Sequence, residues 1–341
     1  MPPPDFLHKD AETKLCQHFL AAGSVCSLST NSMQVLDAAG KTLQAVESQP
    51  RPVDFHLRFW VDNADFSQAP WPKPYVRGLG HLVFAGFDEG SSVLADLRTR
   101  RVIGRFSAAM AADLSYWQTV IFPMLLTIVS ASIGIAELHC ACVAKGQDGV
   151  LLAGPSGAGK STLALALSQQ GCGFLSDDRT FCSIKNNEVR AWGFPTPLKL
   201  RPEATTWFDE LRKETLTDTR RGGPAFWLDP ERLVGVERVQ QCRPTALIFL
   251  ERRDTAEFRL NSMSPTEALN RLNRDLLAEL PEAITRRSGT INKIVELPCW
   301  LLEYGGEPRV IAREIRSHLA SRDCPQRRNE PANGLDCGWR I

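Results

Sequence analysis

The chain has 341 residues, 43% of them hydrophobic and 23% charged, an ordinary globular balance that permits a core without covalent staples. With 40 basic against 39 acidic residues the net charge is +1, so no chain-wide attraction to nucleic acid or anionic lipid is expected. Ten cysteines are scattered with no C-x-x-C pair, which excludes the usual zinc-site spacing.

At the start, MPPPDFLHKDAETK lacks an apolar h-region. No secretory signal is expected there, and a reducing cytoplasm fits the cysteine usage. Ser24–Thr30 alternates apolar and polar residues as a strand does. Ser32, or Asn31 before it, is placed to cap a helix from Met33 to about Gly40. Phe55–Val61 and Leu82–Phe87 read as strands, and Ser92–Phe106 as two strands joined near Arg98–Arg101. Residues 1–130 therefore suggest a small α+β domain, rich in strands and without a catalytic cluster. Ser107–Gly134 reads as helical and covers the boundary. No charge occurs between Asp113 and Glu137, and Val120–Ala136 is mostly apolar, which approaches transmembrane length. Pro123 interrupts it, and Thr127, Ser130, Ser132 and Gly134 thin it out. A buried helix is expected, and no membrane partner.

From Leu138 the texture changes. Leu138–Val143 and Gly149–Ala153 are short apolar strands, Ser161–Gln169 is a helix, and Gly171 is placed to end it. Phe174-Leu175 and Thr245–Leu250 are further strands. Strands alternating with helices argue for an α/β sheet, here over residues 131–320. Arg212–Val239 is polar and contains Arg220-Arg221-Gly222-Gly223, which reads as a mobile excursion. Thr266–Leu280 and Val310–Leu319 read as helices, and residues 321–341 as a disordered tail.

Gly154–Thr162 reads GPSGAGKST, which fits G-x-x-x-x-G-K-[ST] between a strand and a helix, as a phosphate-binding P-loop requires. Gly154, Gly157 and Gly159 permit the tight backbone that turns amides toward phosphates. Pro155, Ser156 and Ala158 complete the loop. The helix start adds partial positive charge. Lys160 supplies a cation for the terminal phosphates, Ser161 a magnesium ligand, and Thr162 follows. Alone, such a loop does not distinguish kinase from ATPase, GTPase or motor.

Ser176-Asp177-Asp178-Arg179 follows a strand soon after the loop helix, which puts the acids at the carboxyl edge of an open α/β sheet. One carboxylate, Asp177, is suited to hold magnesium. The other is suited to accept a proton from an attacking hydroxyl. A turn or a helix cap is the alternative for such a pair. His139 lies on the short strand before the loop; a lone histidine is more often a core or surface residue.

The stretch LHCACVAKGQDGVLLAGPSGAGKSTLALALSQQGCGFLSDDR, residues 138–179, resembles the catalytic domain of HPr kinase/phosphorylase and the wider group of HPr-kinase-like proteins. That family carries a histidine on a strand before the loop, then Lys-Ser, a short helix, another strand and Ala-Asp-Asp. The resemblance implies the α/β P-loop fold shared with phosphoenolpyruvate carboxykinase. It also implies ATP and Mg2+ as cofactors, functional roles for Asp177, Asp178 and His139, and oligomers. Arg201, in Pro197-Leu198-Lys199-Leu200-Arg201, matches the arginine of the family's Glu-x-Arg segment, while Lys199 stands where its metal-binding glutamate would be. The family's late Arg-Pro-Gly-Arg-Asn signature has no match near Leu297–Tyr304, and residues 1–130 do not resemble its amino-terminal domain. The chain is thus similar to the divergent HPr-kinase-like group, some members of which act in peptide-modifying gene clusters such as those for lasso peptides. The expectation is an ATP-dependent kinase acting on a hydroxyl, with a serine of a peptide or protein other than HPr as acceptor. Lys160, Asp177, Asp178, His139 and Arg201 are its catalytic set, with Arg201 or an arginine of the Arg220-Arg221 pair to neutralise the transition state. A small-molecule kinase on the same fold and a nucleotide-binding regulatory protein with little turnover are the alternatives.

Overall fold

The computed structural model describes residues 13–46, 52–62, 68–194, 196–219, 223–254, 258–272 and 281–321. The expected tail beyond 321, the second half of the expected helix 266–280, and Arg220, Arg221 and Gly222 lie outside the described residues. The chain divides into two compact units, Met1–Ala136 with Leu277–Gly289, and Glu137–Leu276 with Thr290–Ile341. The division falls after Ala136 rather than at 130, and Leu277–Gly289, expected in the catalytic domain, groups with the first unit. Its Arg286 donates from Nη1 to the carbonyl of Ser132 at 2.6 Å.

The first unit is built on an eight-stranded sheet. Its order is Gln44–Ala45, Leu15–Ala21, Ser24–Thr30, Phe55–Asp62, Arg101–Ser107, Ser92–Asp96, Leu82–Gly86 and Tyr75–Leu79. Alternation does the sorting: Phe55, Leu57 and Phe59 are buried while His56 is exposed. Phe59, Phe106 and Trp117 form an aromatic cluster, with Phe106 and Trp117 centroids 4.7 Å apart. The helix expected over Ser107–Gly134 is broken into pieces. Asp113 caps the second piece, its carboxylate accepting the Tyr116 amide at 3.0 Å. Trp117–Ile121 is a π-turn, closed by the Phe122 amide on the Trp117 carbonyl, and Phe122–Ser130 continues as α-helix. Pro123 has no amide to give, and the ladder shifts by one residue beside it. By length and composition Leu114–Ile133 could cross a membrane. Here Trp117, Ile121, Leu125, Leu126 and Val129 are buried inside the unit.

The second unit holds a larger mixed sheet. Along it run Glu237–Arg238, Gly173–Ser176, Cys140–Lys145, Asp148–Ala153, Gln241–Arg252, Glu188–Trp192 and Thr180–Lys185. Cys299–Tyr304 pairs with Gln241–Arg252, and Phe258–Met263 with Cys299–Tyr304. Asp148–Ala153 runs parallel to Gln241–Arg252, which runs parallel to Cys299–Tyr304. Cys140–Lys145 is antiparallel to both Asp148–Ala153 and Gly173–Ser176, so those two strands point the same way. Four strands therefore deliver their carboxyl ends to one edge: Ala153, Ser176, Arg252 and Tyr304. The beginning of Cys140–Lys145 reaches the same edge. The helix Lys160–Ser168 is apolar from Leu163 to Leu167, and those residues are all buried, as a core helix requires. It packs with Phe174, Ile248, Leu302, Ile311 and Ile315 in one cluster.

Leu198–Leu200, Gly223–Leu228 and Leu216–Thr219 form a separate antiparallel sheet in that order. Much of the expected mobile excursion is thus folded. Leu198, Leu200, Phe226 and Leu228 join the main core, and this apolar anchoring outweighs the polar composition around it.

Candidate functional site

The glycine-rich loop leaves Ala153 and enters the helix at Lys160. Gly154, Gly157 and Gly159 have φ of 151°, 87° and 94°, values that a residue with a Cβ rarely adopts. Space forbids a Cβ at the two ends as well. One at Gly154 would lie 2.8 Å from the Leu250 carbonyl oxygen, and one at Gly159 would lie 2.2 Å from the Tyr304 phenol oxygen. Pro155, Ser156 and Gly157 are exposed, and Ala158 is buried. The Ala158 amide donates to the Pro155 carbonyl at 3.1 Å. The buried Lys160 donates from Nζ to the carbonyls of Gly154 at 2.8 Å and Pro155 at 3.3 Å. Its ammonium is thus folded back along the rim of the loop. Ser161 and Thr162, both half-buried, stand in the first helical turn.

The turn from Ser176 to Thr180 is pinned to the start of the neighbouring strand. Thr180 Oγ1 donates to the Cys140 carbonyl at 2.9 Å and accepts from Ser176 Oγ at 2.6 Å. This brings Asp178 to His139, with Oδ1 2.9 Å from Nε2. His139 is not within a strand as expected: it occupies the bend between Ala136–Leu138 and Cys140–Lys145. That bend lets its ring reach across to the acid. The His139 hydrogen bond and charge hold the Asp178 carboxyl below its ordinary pKa, aided by Arg179 and Lys160. Arg179 also lies 3.5 Å from Glu137.

Asp177 behaves in the opposite way. It is buried, and burial pushes its pKa up to about 6, with the Asp178 charge adding to the rise. Hydrogen bonds oppose that shift, two of them from other residues. The Lys199 amide donates to Oδ2 at 3.0 Å, and the Ser161 hydroxyl bonds to the same carboxylate. Ser161 and Asp177, expected as metal ligands, are therefore in direct contact. Hard oxygen donors of this kind suit Mg2+. Among the described residues no group of three or more His, Cys, Asp and Glu could hold a metal. A cation on this pair would thus draw its remaining ligands from water and from phosphate oxygens. The donor set fits Mg2+ in that form.

Arg201 lies beside the loop. Its guanidinium reaches the loop, with Nη2 3.3 Å from Ser156 Oγ, and lies over Gly157. Among the described residues it makes no hydrogen bond or ion pair with either acid. Lys199 puts its ammonium 5.5 Å from the centroid of Trp227, its cross-strand neighbour. So its backbone serves Asp177 while its charge rests on an aromatic face. The 220–221 arginine pair lies outside the described residues.

Three contributors were missed in the sequence: the Lys199 amide, the Thr180 hydroxyl and Tyr304. Tyr304 donates its phenol proton to the Ala158 carbonyl at 2.6 Å. Thr180 alone had a local signal, being adjacent to the acidic turn. The other two arrive from strands distant in the chain.

The chain matches no protein-family model, and no curated protein matches it at a significant level. Among solved structures it is similar to the HPr(Ser) kinase/phosphatase from Coxiella burnetii. The TM-score is 0.29 and the identity 17%, over 54% of this chain and 95% of that one. The chemistry open to this site has to follow from its own atoms.

Proposed function

We propose that the second unit is an ATP-dependent phosphotransferase that moves the γ-phosphoryl group to a hydroxyl, with a serine of a peptide or protein as acceptor. The observation that carries this reading is the division of labour between adjacent acids. Asp177 faces the loop serine, and Asp178 faces His139. Adjacent carboxylates with opposite pKa shifts suit different tasks in one site.

The loop amides and the start of the helix Lys160–Ser168 receive the β- and γ-phosphates. Lys160 exchanges the carbonyls of Gly154 and Pro155 for phosphate oxygens. Ser161 and Asp177 would hold Mg2+, which supplies charge neutralisation to the phosphates. Asp178, kept ionised by His139, accepts the proton of the attacking hydroxyl. The acceptor oxygen forms the new P–O bond, the bond from the γ-phosphorus to the bridging oxygen breaks, and ADP leaves. Arg201, already lying over the loop, is placed to balance charge on the transferred group.

Incubation with γ-labelled ATP, magnesium and a panel of serine peptides tests this reading. Label on a peptide hydroxyl is the expected result. Labelled metabolites from a cell extract, with unlabelled peptides, would redirect it to a small-molecule acceptor. Hydrolysis with no labelled acceptor counts against transfer altogether.

A further inference from the structure

The loop rests on two neighbouring strands. At its start, Gly154 lies against the carbonyl of Leu250, and at its end Gly159 lies against the phenol of Tyr304. Tyr304 closes the strand Cys299–Tyr304, whose register with Gln241–Arg252 pairs Tyr304 with Arg252. Its side chain is buried, and its hydroxyl bonds to the Ala158 carbonyl at 2.6 Å. Burial pushes the phenol pKa up to about 12, so the proton stays on the oxygen as a donor at neutral pH.

The consequence follows from peptide geometry. The Ala158 carbonyl and the Gly159 amide belong to one planar trans unit, so they point in opposite directions. Holding the carbonyl on Tyr304 fixes the Gly159 N–H on the side away from that strand. A glycine with positive φ can rotate its flanking peptide units freely, and the phenol removes that freedom.

We propose that Tyr304 is a positioning residue for phosphate binding: its phenol locks the Ala158–Gly159 peptide in the orientation that presents the Gly159 amide to a phosphate. The inference rests on the reading that this loop holds nucleotide phosphates. Its cause is preorganisation, because an amide already aimed at its ligand spends no binding energy on being ordered.

The test uses the full chain and isothermal titration with ATP and with inorganic tripolyphosphate. Tyr304→Phe keeps the ring and deletes one hydroxyl. It should bind both ligands about 10-fold more weakly, in line with the cost of stranding a buried acceptor. Leu302→Val, two residues away on the same strand and fully buried, is the stability control. It should lower the melting temperature and leave both affinities within about twofold. Unchanged binding by Tyr304→Phe overturns the inference alone. So does an equal loss of affinity in Leu302→Val, because the effect would then be structural. Failure of the wild-type chain to bind either ligand overturns the phosphate-binding reading and this inference with it.

Discussion

The carboxylate of Asp177 accepts the backbone amide of Lys199 at 3.0 Å, and this joins the end of one strand in the main sheet to the small sheet beside it. The bond opposes the burial that pushes the Asp177 pKa to about 6 but does not cancel it. The native carboxyl therefore holds its proton more tightly than the unfolded one, whose ordinary value is 3.8. It favours folding fully below that value, and the contribution is lost as pH rises through about 6.

The stability of Asp177→Asn relative to the wild type should accordingly rise from about pH 4 to about pH 6 in magnesium-free buffer and level off above that. The ceiling is about 3 kcal/mol from a shift of roughly two units. Thermal or urea melts of both proteins across that range check it. A stability difference that does not change with pH would contradict the assignment of the raised pKa. With magnesium and ATP added, the same variant should lose affinity for the metal–nucleotide complex.

Removal of His139 has a different signature. Its hydrogen bond is the largest cause holding Asp178 below its ordinary pKa. In His139→Ala the Asp178 pKa should rise, and the acid limb of the pH–rate profile should move to higher pH. Asp178 stays ionised near neutral pH, so transfer there should fall only about 10- to 100-fold, from loss of the contact that orients the carboxylate. ATP affinity should stay within about threefold, because His139 bonds to the acid and not to the loop. An acid limb that does not move would remove His139 from the mechanism.

Lys160→Ala should separate binding from folding. The ammonium bonds to two loop carbonyls within its own turn. The melting temperature should change by only a few degrees, consistent with a loss near 1 kcal/mol. ATP binding should weaken at least 10-fold, and transfer should be undetectable. Retained turnover would show that the cation reaches no phosphate.

The cysteines offer a check on the core. Cys142 and Cys242 face each other with sulfurs 3.5 Å apart, both buried. Burial pushes the Cys26 and Cys140 thiols up to about 12, and thiols held neutral react slowly. Cys16 is exposed. Among the described cysteines, maleimide should label Cys16 first in the native chain, and the buried thiols only on unfolding. Peptide mapping by mass spectrometry reads this directly. Rapid native labelling at Cys142 or Cys242 would contradict the packing.

Much of the candidate site was legible because its signals are local. The loop from Gly154 to Thr162 carries its spacing, its glycines and its flanking strand and helix within one short stretch. Asp177 and Asp178 follow the very next strand. What could not be read comes from elsewhere in the chain. The Lys199 amide and the Tyr304 phenol depend on strand register, which no local pattern fixes. The segment expected as helical over Ser107–Gly134 is interrupted at Asp113, which caps a new start, and stays helical through Leu114–Ile133 with one π-turn before Pro123. Thr180–Lys185 and Glu188–Trp192 did have a local cue in Asn186-Asn187, both at positive φ, a hairpin signature that composition alone conceals.

Acceptor-dependent transfer, compared between wild type and Asp178→Asn at saturating ATP and magnesium, tests the central claim most directly. Wild type should place labelled γ-phosphate on a hydroxyl, while Asp178→Asn should bind ATP normally and label the acceptor at least about 100-fold more slowly. Equal labelling by the two proteins, or ATP binding by wild type with no labelled hydroxyl in any acceptor, would contradict it.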